Sequence, residues 1–291
     1  MKSKKILAAL VAIPASVVVA GEVQAEEVTI TQTFDIQNIF TGSSTILTQS
    51  STKLFLINDE EDLKNQILIE MSKFNKGFTV MYTGPKIASY EILIEQLMAE
   101  LTNSLNTQKT VTTTSNDTAT FDVTEIYGLF NNMRMKATET KADDATSVKL
   151  EFSLNYYDTI TNNQPKNLNA AKAKYDDIKT KVEAAPNDVA KIKIIHDYVV
   201  HNTNYVEGNH HLIPTSGLSS HAYALWMYTL LKQVPSIDVK YVYGIVNGEY
   251  RSWNVVKIGT QLYHLDAGSN DTAIKSDKLI QYRYFLTNTP N

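Results

Sequence analysis

No cysteine occurs anywhere in the 291 residues of this chain. It can close no disulfide and build no thiolate zinc site, so its stability has to come from packed apolar cores. The first residues read as an export signal, which makes the constraint sharper. Lys2, Lys4 and Lys5 precede an apolar run from Ile6 to Ala20, and Val23-Gln24-Ala25 offers the small residues of a cleavage site. The run is interrupted by Pro14 and Ser16 and falls short of the ~20 apolar residues that a spanning helix needs. Residues 1–25 are therefore read as a signal peptide, with a mature chain from near Glu26 that is secreted or at the extracellular surface.

The formal net charge is −4 for the whole chain and −6 once the three Lys and one Glu of the signal are removed. An acidic balance argues against nucleic acid as a partner. No later segment is long and apolar enough to be a membrane span, and about 265 residues suffice for one large or two ordinary domains.

The first half reads as a small helix-and-strand unit. After a polar entry over 29–52, Asn58 and Asp59 are N-cap candidates for a helix carrying Leu63, Ile67, Met71 and Phe74 on one face. Phe78, Val80 and Tyr82 alternate as a strand closed by Gly84-Pro85. A second amphipathic helix runs from Ser89 to about Leu105, with Leu93, Leu97 and Leu101 at steps of four. The Thr-rich stretch 107–120 reads as a loop or an exposed hairpin. Val148, Leu150, Phe152, Leu154 and Tyr156 alternate with polar residues as a half-buried strand. Asn162-Asn163 and Pro165 place a boundary there, dividing an N-terminal domain (26–165) from a C-terminal one (166–291).

The second half opens with helices and ends with strands. A charged helix is expected over 168–183, then one over 189–202 that carries His196-Asp197-Tyr198, then an apolar one over 220–233. Strands are expected at 239–246, 253–258, 261–265 and 281–286, with turns at Asn247-Gly248 and Gly259. Helices first and antiparallel strands afterwards give an α+β domain.

Within that order, Ile195-His196-Asp197-Tyr198 precedes Ser220-His221-Ala222-Tyr223-Ala224, Arg251-Ser252-Trp253-Asn254, Tyr263-His264-Leu265-Asp266 and Tyr282-Arg283-Tyr284-Phe285-Leu286. The region 170–289 resembles the transglutaminase-like domain of the papain-like superfamily. In that family the corresponding runs carry a Cys at a helix start, a His on a strand and an Asp on the next. The resemblance implies a papain-like fold for this region, which follows the small α/β N-terminal domain read above, and it puts Ser220, Arg251 and Asp266 in the three catalytic places.

Two of the three differ from the family, and the chemistry should fail with them. A thiol beside a His at a helix start becomes a thiolate, whereas a serine hydroxyl needs a base close by. Arg251 stays protonated and has no lone pair to accept a proton. An Arg251–Asp266 ion pair is expected instead. His221, next to Ser220, points about 100° away from it on a helix. His264 shares a strand face with Asp266, but the family carries a His there that is not the base.

His210 and His211, with His201 and His196, are read as solvated loop residues or structural groups rather than metal ligands, so no metal or cofactor is expected. Trp226 and Trp253 are read first as core, although His221, Tyr223, Trp253 and His264 could line a cleft. The expected function is a non-catalytic binding or scaffold module for a peptide, cell-wall or host-protein ligand. The alternatives are a serine-based hydrolase or acyltransferase using Ser220, and an N-terminal half that is itself the interaction module.

Overall fold

Strands with long alternating patterns dominate the first half. The computed structural model describes residues 27–32, 53–142, 145–212, 217–246, 248–271 and 280–289. The stretch read as an export signal and most of the polar entry lie outside the described residues. The chain is a mixed α+β structure. Its first half contains β1 (Glu27–Gln32), β2 (Leu54–Ile57), α1 (Glu60–Ser72), β3 (Gly77–Tyr82), α2 (Tyr90–Asn103), β4 (Gln108–Thr112), β5 (Thr118–Asp122), α3 (Val123–Leu129), β6 (Phe130–Ala142) and β7 (Ala145–Tyr156).

Five of these strands form a sheet in the order β1-β6-β7-β3-β2, antiparallel except for the β2–β3 pair that α1 connects. Asp59 caps α1 by accepting the Asp62 N–H at 2.8 Å, and Ser89 caps α2. The Thr-rich stretch is a hairpin, β4–β5, whose Thr110 and Thr120 hydroxyls meet at 2.8 Å across the strands. Neither α3 nor β6 is among the expected elements, yet β6 is an interior strand of the sheet, and its Met133, Met135 and Ala137 alternate with Arg134, Lys136 and Thr138.

The second half contains β8 (Ile160–Thr161), β9 (Gln164–Pro165), α4 (Lys166–Ala173), a 3-10 turn (Lys174–Asp177), α5 (Lys179–Glu183), α6 (Asp188–Asn202), α7 (Ser220–Leu231), β10 (Asp238–Val246), β11 (Glu249–Ile258), β12 (Gln261–Leu265), α8 (Ala267–Asn270) and β13 (Phe285–Thr287). The long charged helix expected over 168–183 is thus broken into three pieces. Its buried stripe of Leu168, Ala171, Tyr175, Ile178 and Val182 continues through the breaks, which is why the spacing reads as one helix.

The closing strand is also shorter than expected. Tyr282 turns its hydroxyl to Asp197, and the Tyr284 N–H is donated to Asn270 Oδ1 at 2.9 Å. The Tyr282 side chain is thus held by α6 and the Gln281 and Tyr284 N–H groups by Asn270 of α8, and only residues 285–287 join the sheet β10-β11-β12-β13.

Every residue of α7 is buried, and α3, α4, α6, α8, β10 and β11 all pack on it. The buried side chains of both halves form one contiguous apolar cluster around it. Polar links cross between the halves as well: Lys172 Nζ to Glu125 Oε1 at 2.5 Å, and Tyr228 Oη to Asp122 Oδ2 at 2.9 Å.

Candidate functional site

The segment before α7 is a loop folded back on itself. Tyr205 and Leu218 form an isolated bridge, the Leu218 N–H is donated to Asn204 O at 2.7 Å, and Asn209 Nδ2 to Gly217 O at 2.6 Å. Gly217 sits at φ +84°, and a Cβ there would lie 2.4 Å from Val206 Cγ2. A glycine suits both demands. The loop delivers Ser219 as the N-cap of α7, where its hydroxyl accepts the Ala222 N–H at 3.5 Å.

An imidazole does lie against a serine hydroxyl here, but neither partner was expected. His210 Nδ1 is 3.0 Å from Ser219 Oγ, with Ser219 1 % and His210 8 % exposed. This corrects the reading of His210 as a solvated loop residue. Burial pushes its pKa down, His211 adds to that and Glu207 opposes it, so the neutral ring can accept the Ser219 proton while the hydroxyl oxygen receives the Ala222 N–H. Ser220, one position on, is buried, and its side chain makes no hydrogen bond among the described residues.

His221 is occupied elsewhere. Its Nε2 is 2.7 Å from the Gly128 carbonyl and its Nδ1 2.7 Å from Tyr241 Oη, which in turn is 2.7 Å from Ser252 Oγ. A carbonyl can only accept, so Nε2 carries the proton, Tyr241 donates to Nδ1, and the Ser252 hydroxyl donates to Tyr241. Burial holds this imidazole neutral by lowering its pKa to about 3. It is a structural group and not a base for Ser220.

Strand parity separates the residues of β11. Ser252 and Asn254 face α7, the latter donating Nδ2 to Ala224 O at 3.0 Å, whereas Arg251 and Trp253 have the opposite parity. Arg251 Nη1 donates to Ser269 Oγ at 2.7 Å, and Ser269 donates its hydroxyl to Asp266 Oδ2 at 2.8 Å and its N–H to Oδ1 at 2.9 Å. Arg251 and Asp266 are therefore brought together through Ser269, where a direct ion pair was expected. The spacing Asp266-x-x-Ser269 is an ordinary N-cap spacing and was a legible signal for it.

The guanidinium also lies 5.9 Å from the centre of the Tyr205 ring, which stacks on Tyr223. Tyr223 donates its hydroxyl to Asp271 Oδ2 at 2.8 Å, and the same oxygen accepts the Tyr205 N–H. Burial raises the Tyr223 pKa, and the neighbouring Asp271 charge raises it further.

Trp253 is half-buried rather than core. Its indole lies over Gly244 and donates Nε1–H to His264 Nδ1 at 2.9 Å. Of the four residues named as a possible cleft, Trp253 and His264 are thus in contact, while His221 and Tyr223 belong to the buried helix.

His196 is fully buried, with Nε2 3.1 Å from Asn270 Nδ2 and Nδ1 3.0 Å from Asp197 Oδ1. Partial burial of Asp197 would raise its pKa, but donors from His196, Lys193 and Tyr282 outweigh that and lower it. This cluster joins α6 to α8 and the last described segment. No group of three or more His, Cys, Asp or Glu residues with metal-binding geometry occurs among the described residues, and none of their helices is long and apolar enough to cross a membrane.

No protein-family model matches the chain, and no curated protein matches it. Among solved structures, a crystal structure of a TGase is similar at 12% identity, with a TM-score of 0.31, over 78% of this chain and 62% of that one. The chain spans less than two thirds of that structure's length, and at so low a score the likeness carries no argument about activity.

Proposed function

We propose that this chain is an exported, non-catalytic protein whose second half keeps a transglutaminase-like arrangement as a binding or scaffold surface for a peptide, cell-wall or host-protein ligand. The observation that carries the reading is the fixed guanidinium of Arg251. It stands where the resemblance puts the catalytic base, it is held by Ser269 beside Asp266, and it has no lone pair with which to take a proton. Ser220, in the nucleophile's place, has no imidazole on its hydroxyl. Loss of such groups typically lowers turnover by ~10³ to 10⁶.

The His210–Ser219 contact favours a second reading, a serine-based hydrolase or acyltransferase, with the nucleophile shifted by one residue from Ser220. A neutral imidazole on a hydroxyl at a helix start is the right chemistry. Against it, both groups are nearly sealed from solvent, and the N-cap role already accounts for Ser219.

Assays of the mature protein with glutamine-donor, peptide and ester substrates separate the two, run beside Ser219→Ala and Ser220→Ala. We expect no turnover above background. Turnover abolished by either substitution would replace the binding reading with the enzymatic one.

A further inference from the structure

β10 is an edge strand, joined in its sheet to β11 alone. Its outer edge is closed at one point by a side chain. Asn106, at φ +68°, donates Nδ2 to Tyr241 O at 3.0 Å and accepts the Tyr241 N–H on Oδ1 at 2.5 Å. These are the two bonds a neighbouring strand would make to that residue.

The contact fixes the phase of the ladder. Because Tyr241 directs its N–H outward, Tyr241↔Asn254 is a non-hydrogen-bonded antiparallel pair, and by alternation Tyr243↔Ser252 and Ile245↔Tyr250 are of the same kind. The N–H and C=O groups of Tyr243 and Ile245 therefore point out of the sheet, and no partner for them occurs among the described residues. Beside them stand Ile245, 62% exposed, and its cross-strand neighbour Tyr250, 44% exposed. The run Tyr241–Val246 contains neither a charge nor a proline, the usual protections of an open edge.

We infer that the β10 edge over Tyr243–Ile245 takes up an extended peptide from a partner protein by strand addition, with Asn106 as the stop that sets where the added strand begins. This rests on the binding reading above and names the ligand as a peptide. The alternation of outward N–H and C=O groups is complementary to another backbone and not to a sugar chain. Two outward residues supply four main-chain hydrogen bonds, with Ile245 and Tyr250 offering an apolar contact for one side chain of the ligand. So short an edge suits a peptide better than a second copy of this chain, for which a stable interface buries roughly 1,200 Å² or more.

The probe is a capped hexapeptide of alternating threonine and valine flanked by lysines, with two analogues N-methylated at either all threonines or all valines. An added strand turns alternate amides toward β10, so one analogue should lose at least about tenfold in affinity while the other binds like the parent. Amide exchange should slow at Tyr243 and Ile245 when the parent peptide is bound. Ile245→Lys should weaken binding about tenfold, and Asn106→Ala should tighten it and extend protection to Tyr241. Near-UV circular dichroism checks that variant's fold, and Ile245→Lys, on the surface, decides the matter if Asn106→Ala does not fold.

Equal binding of the two analogues, no binding at millimolar peptide, protection of Tyr243 and Ile245 in the free protein, or a dimer formed through this edge would overturn the inference. Serine-dependent turnover would overturn the non-catalytic reading and leave the N-methyl result standing, so the two failures are distinguishable.

Discussion

His221 donates its Nε2 proton to the carbonyl of Gly128, 93 positions earlier in the chain, at 2.7 Å. Through Tyr241 and Ser252 the same imidazole fastens α3, α7, β10 and β11 into one buried chain of hydrogen bonds. It fills its two ring nitrogens only as the neutral tautomer.

That arrangement makes the protein sensitive to acid. The folded pKa of His221 is depressed from 6.5 to about 3 by burial, so the unfolded chain binds the proton more readily. Its contribution is complete above about pH 6.5 and is lost as pH falls toward 3, on the order of 5 kcal/mol over the whole interval. Urea unfolding at a series of pH values should show this slope, and His221→Gln should flatten it. A variant with the same slope as the parent would refute the assignment.

At neutral pH, His221→Phe should destabilise the fold by roughly 2–4 kcal/mol, because it leaves the Gly128 carbonyl and the Tyr241 hydroxyl without this partner in the interior. Loss of near-UV circular dichroism at lower urea is the measurement.

Ser219 and Ser220 are adjacent and equally small, yet their replacement should differ. Ser219→Ala removes the cap of α7 and the partner of His210, at a cost of about 1–2 kcal/mol, whereas Ser220→Ala should stay within about 0.5 kcal/mol. Equal values from chemical denaturation would contradict the N-cap assignment.

Asp158 caps α4 from a distance. Its two carboxylate oxygens accept the Asn167 and Leu168 N–H groups, each at 2.8 Å, where Pro165 contributes no side-chain cap. Asp158→Ala should cost about 1–2 kcal/mol and speed amide exchange in the first turn of α4.

Gly217→Ala should cost about 1–2 kcal/mol from the positive φ alone, with a further displacement of Val206. Faster proteolysis between Asn204 and Ser219 would report the loosened loop.

Much of the fold was legible. The helices over 60–72, 90–103, 188–202 and 220–231 and the strand pair at 238–258 follow from apolar period and cap residues, signals that are local. β6 was overlooked although Met133, Met135 and Ala137 alternate with Arg134, Lys136 and Thr138, a local strand pattern. α3 was missed because it is seven residues long and buried on nearly every side, so it shows no amphipathic period. The site was legible in part. Arg251 and Asp266 do converge, but Ser269 as their link, and Ser219 with His210 as the serine–imidazole contact, were not foreseen. Nothing local says which of two neighbouring serines faces a given ring, since one step along the chain at a helix start turns a side chain to a different neighbour.

The sequence alone determined that no disulfide or thiolate metal site can exist and that the side chain at position 251 cannot take up a proton. Those statements depend only on the chemistry of residues present or absent. Tertiary structure decided the rest: which serine meets an imidazole, that Asn106 closes part of the β10 edge, and that His221 is neutral. Each of these depends on groups brought together across the fold, where burial and the single available partner fix the proton's place.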